Sequence, residues 1–142
     1  MADGISFANG MAVTPDNSTL ILAESYANRL TAFDIASDGG LSNRRVWADL
    51  ARGVPDGICL DAENAVWYAD VPNQRCVRVR EGGEVLQTIE HDRGCFACAL
   101  GGPNKQTLFV TAADWSAAAD GSGSQTGQVL TVEAPAPGIG WP

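Results

Sequence analysis

Apolar and polar residues alternate along this chain in short runs, and turn-forming residues cut each run off early. Leu20-Ile-Leu-Ala-Glu24, Arg29-Leu-Thr-Ala-Phe33, Val66-Trp-Tyr-Ala-Asp70 and Leu108-Phe-Val-Thr-Ala112 are typical, with Gly, Pro, Asn and Asp clustered between them. Aromatic and β-branched residues of this kind suit pleated, half-buried surfaces. A 3.6-residue helical period is almost absent, and Ala117–Ala119 is the main helix-forming stretch. The pattern predicts strands near 11–14, 19–24, 29–35, 43–50, 57–61, 65–70, 75–80, 84–90, 96–100, 107–112 and 127–133. The fold class is all-β.

The strands recur as units. Asp56 follows Asn9 by 47 residues, Val66 follows Leu20 by 46, Arg75 follows Arg29 by 46, and Leu108 follows Val66 by 42. A four-stranded unit repeating every ~40–45 residues is the period of a β-propeller blade. A sandwich also has many short strands, but nothing in it repeats the order of the turns. Blades are expected at roughly 9–50, 56–91 and 96–133 of a single domain over residues 1–142.

Closed propellers typically have about 4–8 blades. The third unit here stops after its third strand, where Ala134-Pro-Ala-Pro-Gly138 breaks the pattern. An open half-ring leaves edges and blade faces uncovered. The chain is therefore expected to be the C-terminal half of a larger propeller, or to complete a ring with a second copy. The Gly/Ser-rich stretch 117–126 departs from the short turns elsewhere and reads as a surface loop, with a lid over the ring's mouth as the functional alternative.

Nine Lys and Arg residues against seventeen Asp and Glu give a net charge of −8. Such a surface repels phosphate backbones and anionic lipid, which argues against nucleic-acid and membrane partners. Met1-Ala2-Asp3-Gly4 has no basic or apolar leader character, so a cytoplasmic location is expected. Four cysteines stand at 59, 76, 95 and 98. Cys95-x-x-Cys98 is half of a zinc or redox motif, but it lies in an apolar strand with no second pair at zinc spacing, so buried, unreactive thiols are expected. The single His91 sits in His91-Asp92-Arg93 after a strand and reads as a turn residue.

Position carries more information than motif. Asn9-Gly10 and Asp56-Gly57 each stand just before the first strand of a repeat, and a propeller's first strand lines its central channel. An amide oxygen and a carboxylate converging there are hard donors, suited to Ca2+ or Mg2+. The same dipeptides are also ordinary turn sequences, since Asn, Asp and Gly tolerate positive φ. On these residues alone both readings stay open. The third repeat places Phe96-Ala97 at this point and donates nothing.

Phe7-Ala-Asn-Gly-Met-Ala-Val-Thr-Pro-Asp16, Leu22-Ala-Glu-Ser-Tyr26, Arg29-Leu-Thr-Ala-Phe-Asp34, Leu41-Ser-Asn-Arg-Arg45, Val54-Pro-Asp-Gly-Ile-Cys-Leu-Asp61, Leu100-Gly-Gly-Pro103 and Thr107-Leu-Phe-Val-Thr111 together resemble the senescence-marker-protein, gluconolactonase and luciferin-regenerating-enzyme family. The resemblance implies a six-bladed propeller, of which about three blades are present, with one divalent metal in the channel. That metal is usually calcium, with Zn2+, Mg2+ or Mn2+ as alternatives. It also implies hydrolysis of lactones, commonly sugar lactones. Asn9 matches the family's asparagine ligand, and Asp56 matches the aspartate that is both ligand and general base. The family's glutamate ligand, a further asparagine and an arginine come from its first half and have no counterpart here. A non-enzymatic calcium-binding or protein-interaction propeller is the competing reading.

Overall fold

A computed structural model describes residues 1–116 and 125–139. Most of the loop expected over 117–126 lies outside the described residues. The described residues form eleven strands: β1 (Ala8–Val13), β2 (Thr19–Glu24), β3 (Arg29–Ile35), β4 (Leu41–Asp49), β5 (Pro55–Leu60), β6 (Val66–Asp70), β7 (Arg75–Val79), β8 (Val85–Glu90), β9 (Gly94–Gly101), β10 (Thr107–Ala113) and β11 (Gln128–Glu133). They form three antiparallel sheets in the orders β1-β2-β3-β4, β5-β6-β7-β8 and β9-β10-β11. Each sheet is an up-and-down meander, as expected for a blade. The first strands pack side by side, β1 on β5 and β5 on β9, so each blade faces the next.

Burial follows from that stacking. One apolar cluster lies between the first and second sheets and holds Ile21, Leu30, Trp47, Ile58, Leu60, Val66, Tyr68 and Val79. The other lies between the second and third sheets and holds Cys59, Trp67, Ala69, Cys76, Cys98, Leu108 and Val110. β6 is buried at every residue because it is covered on both faces, Val66 and Tyr68 pointing one way, Trp67 and Ala69 the other. β10 alternates, with Leu108, Val110 and Ala112 inward and Phe109 and Thr111 outward. One face of the third blade is covered and the other is not.

The Pro-containing segment after β11 breaks the strand pattern, as expected. It does not run free. Gly138 bridges to Asp61, the Ala62 N–H donates to the Pro137 carbonyl at 2.8 Å, and Gly138 donates to the Lys105 carbonyl at 2.8 Å. Ala134 and Ala136 are buried, and Ile139 packs on the first cluster. All four cysteines are free and buried, as expected. His91 caps its own turn, its Nδ1 accepting from the Asp92 N–H at 2.8 Å.

Candidate metal and catalytic site

β1 and β5 open on the same device. Ala8 lies opposite Glu24 and Met11 opposite Leu22; Pro55 lies opposite Asp70 and Ile58 opposite Tyr68. Each first strand thus carries one residue more than its partner, a β-bulge, and the bulged pairs are Asn9-Gly10 and Asp56-Gly57. Bulges re-aim side chains and increase local twist. β9 slips in the same sense, Thr111 opposite Ala97 and Ala112 opposite Cys95, which leaves Phe96 as the extra residue. Asn9 and Asp56 are therefore inside their strands, which begin at Ala8 and Pro55 rather than at 11 and 57, because pairing resumes on the far side of the bulge.

The glycines settle why this is not a turn. Gly10 and Gly57 are absent from the residues with positive φ, so conformational freedom is not their purpose. A Cβ on Gly10 would stand 2.5 Å from the Asp56 carbonyl oxygen and 2.7 Å from the Ile58 nitrogen. One on Gly57 would stand 2.8 Å from Ala97 Cα and 3.0 Å from the Phe96 oxygen. Both are places where the backbone of one first strand touches the backbone of the next. Close approach, not turning, requires glycine here.

That approach brings Asn9 and Asp56 to one cavity of about 230 Å³, with Ser25, Phe7, Tyr26 and Trp115 on its walls. Phe7 and Tyr26 stack with ring centroids 4.5 Å apart, and Trp115 lies 5.7 Å from Phe96. Among the described residues, no ionisable side chain lines a larger cavity of about 530 Å³ beside Met11, Leu20 and Ile139. Sequence reasoning did not single out Ser25, Tyr26 or Trp115. The signal for Ser25 and Tyr26 was present in Leu22-Ala-Glu-Ser-Tyr26, but only the fold shows that this segment faces Asn9.

The two blades brace their bulges alike. The last residue of β2, Glu24, is fully buried and accepts from the Ser6 N–H at 2.8 Å, Thr31 Oγ at 2.6 Å, Arg29 at 3.0 Å and Arg44 at 3.1 Å. The last residue of β6, Asp70, is equally buried and accepts from the Val54 N–H at 3.2 Å and Arg75 at 3.0 Å. In each case a buried carboxylate, paired with the first arginine of the third strand, holds the segment leading into the bulge. Position 112 of the third blade is alanine, and that blade presents Phe96 instead of a donor.

Asp56 stands apart from these acids. Glu24, Asp61 and Asp70 each have an arginine partner. Among the described residues no ion pair includes Asp56. Burial pushes its carboxyl above the ordinary value, and the Asn9 side chain beside it works in the opposite direction. A half-buried carboxylate without an arginine partner, beside an asparagine side chain, has the hard-oxygen chemistry that a divalent ion would need. No group of three or more His, Cys, Asp and Glu among the described residues could hold a metal. Among the described residues, Asn9 and Asp56 are two candidate donors, where calcium takes roughly six to eight oxygens.

The sequence profile described as the SMP-30/Gluconolactonase/LRE-like region matches residues 1–114. Regucalcin of Xenopus laevis is 33% identical over 117 residues, covering 78% of this chain and 39% of its own length. The solved gluconolactonase of Xanthomonas campestris is 30% identical with a TM-score of 0.67, covering 79% of this chain and 36% of that one. The solved calcium-binding protein regucalcin of Agrobacterium tumefaciens is 25% identical with a TM-score of 0.71, covering 94% of this chain and 49% of that one. The chain thus spans about two fifths of the curated relative it matches. From the repeated blades, their paired bulges and these matches, the chain is an all-β, propeller-type member of the SMP-30/gluconolactonase/LRE-like family.

Proposed function

We propose that Asn9 and Asp56 form one side of the centre of a metal-dependent lactone hydrolase, with calcium the first candidate ion and a sugar lactone the first candidate substrate. The observation that carries this reading is Asp56, a half-buried carboxylate without an arginine, facing Asn9 across a cavity. The names of the gluconolactonase and of the calcium-binding relative support it. Further oxygen donors come from water or from further polypeptide, a second copy of this chain included.

The bound cation would polarise the lactone carbonyl and stabilise the developing oxyanion. Asp56 accepts the proton of the attacking water through its carboxylate, which must therefore be ionised at the working pH. Asn9 would contribute its amide oxygen and, being an amide, serves as neither acid nor base near neutral pH. The Phe7, Tyr26 and Trp115 rings make the surrounding wall largely apolar.

Hydrolysis of δ-lactones with added calcium, compared between the wild type and Asp56→Asn, tests the reading. Turnover that falls by two or more orders of magnitude, at little cost in melting temperature, is expected for loss of a general base (~10²–10⁴-fold). Equal turnover removes Asp56 from that role. Calcium binding with no turnover by the wild type favours the second reading, a non-enzymatic calcium-binding module.

A further inference from the structure

We infer that Ser25 is a positioning residue that sets which end of the Asn9 amide faces the cavity. The inference rests on the reading of Asn9 as a metal ligand. Ser25 follows β2, opens the 3-10 turn Ser25–Ala27, and is only 4% exposed. Its hydroxyl has a single proton, and that proton goes to the Pro55 carbonyl oxygen at 2.7 Å. With its proton committed, Ser25 Oγ can only accept. The part of Asn9 that meets it must then be the NH2 group, and Nδ2 stands 3.3 Å from Oγ. Asn9 Oδ1, the one amide atom able to ligate a cation, is then not the atom that meets Ser25.

The two ends of an asparagine amide are nearly equal in size and opposite in hydrogen-bonding character, so packing alone does not distinguish them. A flipped Asn9 would offer N–H groups to a cation. Ser25 disfavours that state, since its oxygen accepts and cannot donate to Oδ1, and through Pro55 it ties the Asn9 orientation to the backbone one residue before Asp56. The turn is itself held on both sides. Ser25 N donates to the Phe7 carbonyl at 3.1 Å, and Asn28 Nδ2 donates to the Gly53 carbonyl at 2.8 Å.

The second blade supplies an internal comparison. By register, Glu24 opposite Ala8 corresponds to Asp70 opposite Pro55, so Ser25 corresponds to Val71. The ligand of that blade is Asp56, whose two oxygens are equivalent and need no orienting. A hydroxyl accompanies the asymmetric amide, and a hydrocarbon accompanies the symmetric carboxylate.

Calcium titration of the full 142-residue chain as wild type, Ser25→Ala, Ser25→Thr, Asn9→Asp and Asn9→Asp/Ser25→Ala tests this. Ser25→Ala should weaken affinity about tenfold, as loss of a ligand's hydrogen-bonding partner typically does (about 10–100-fold). Ser25→Thr should restore it. With Asp at position 9 the Ser25→Ala change should cost less than about twofold, because a carboxylate has no wrong end. An unchanged affinity in Ser25→Ala, or the same loss in the Asn9→Asp background, overturns the inference. A metal-free measurement runs beside it: one Asn9 side-chain amide proton should exchange slowly with solvent in the wild type and fast in Ser25→Ala. Equal exchange in both also overturns it. If the wild type binds no calcium, the metal reading of Asn9 fails, and the exchange rates alone decide the orienting role.

Discussion

Gly10→Ala separates the two explanations of the Asn-Gly and Asp-Gly pairs by the sign of its effect. Gly10 has an ordinary φ, so a turn or flexible-segment role predicts a small gain, about 0.4–1 kcal/mol, from a less entropic unfolded chain. The structure predicts a loss. The new methyl would lie 2.5 Å from the Asp56 carbonyl oxygen, 2.7 Å from Ile58 N and 2.9 Å from Gly57 Cα. All three are backbone atoms, so no side chain can swing aside, and β1 and β5 must separate by about 1 Å to reach ordinary contact of ~3.5–4 Å. Overpacking of this kind costs about 1–3 kcal/mol. Less the entropic gain, a net loss of about 1–2 kcal/mol remains, or roughly 3–7 °C in Tm for a chain of this size. Urea melts monitored by tryptophan fluorescence measure it, and calcium titration should show weakened binding, since the same separation draws Asn9 from Asp56. A variant as stable as the wild type, or more so, refutes close approach as the reason for glycine.

Glu24→Gln should cost about 1–3 kcal/mol at neutral pH, because it leaves Arg29 and Arg44 without their buried carboxylate. It should also flatten acid denaturation. Burial works to raise the Glu24 carboxyl, but the Ser6 N–H, Thr31 and Arg29 outweigh it and hold it at about 2 against an ordinary 4.5. The stability it lends is complete above pH 4.5 and drains as pH falls toward 2; stability curves across that window that coincide in shape refute the assignment. Native chain should resist thiol-specific reagents at all four cysteines and react fully once unfolded, since burial pushes Cys95 to about 11 and Cys98 is raised as well by Cys59, Cys76 and burial. Rapid labelling of a folded sample would show that one of them is accessible. Asp56→Asn, beyond its effect on turnover, should leave Tm unchanged or slightly raised, because no arginine loses a partner and a desolvated carboxylate is removed; a drop like that of Glu24→Gln would mark Asp56 as a structural acid.

Much of this molecule was legible in one dimension. Strand positions follow from period-2 alternation and from the residues that end each run, both local properties of the chain. The 46- and 47-residue spacings disclosed repeated blades because equivalent strands perform the same job in each. Asn9 and Asp56 were found by their place in that repeat and by the family resemblance. The repeat could not show that both lie within bulges, because a bulge is a slip against a partner strand and exists only once strands pair. Nor could it show the role of Gly10 and Gly57, whose constraint comes from backbone 47 and 40 residues further along, at Asp56-Gly57 and Ala97. Glu24 and Asp70 read as strand-end acids until the fold buried them against arginines, and Asp56 differs only because none reaches it. Ser25 is one serine among many by sequence; tertiary structure alone sets its hydroxyl between Pro55 and Asn9, since the hydrogen bonds that give it meaning join three segments that only the stacking of blades brings together.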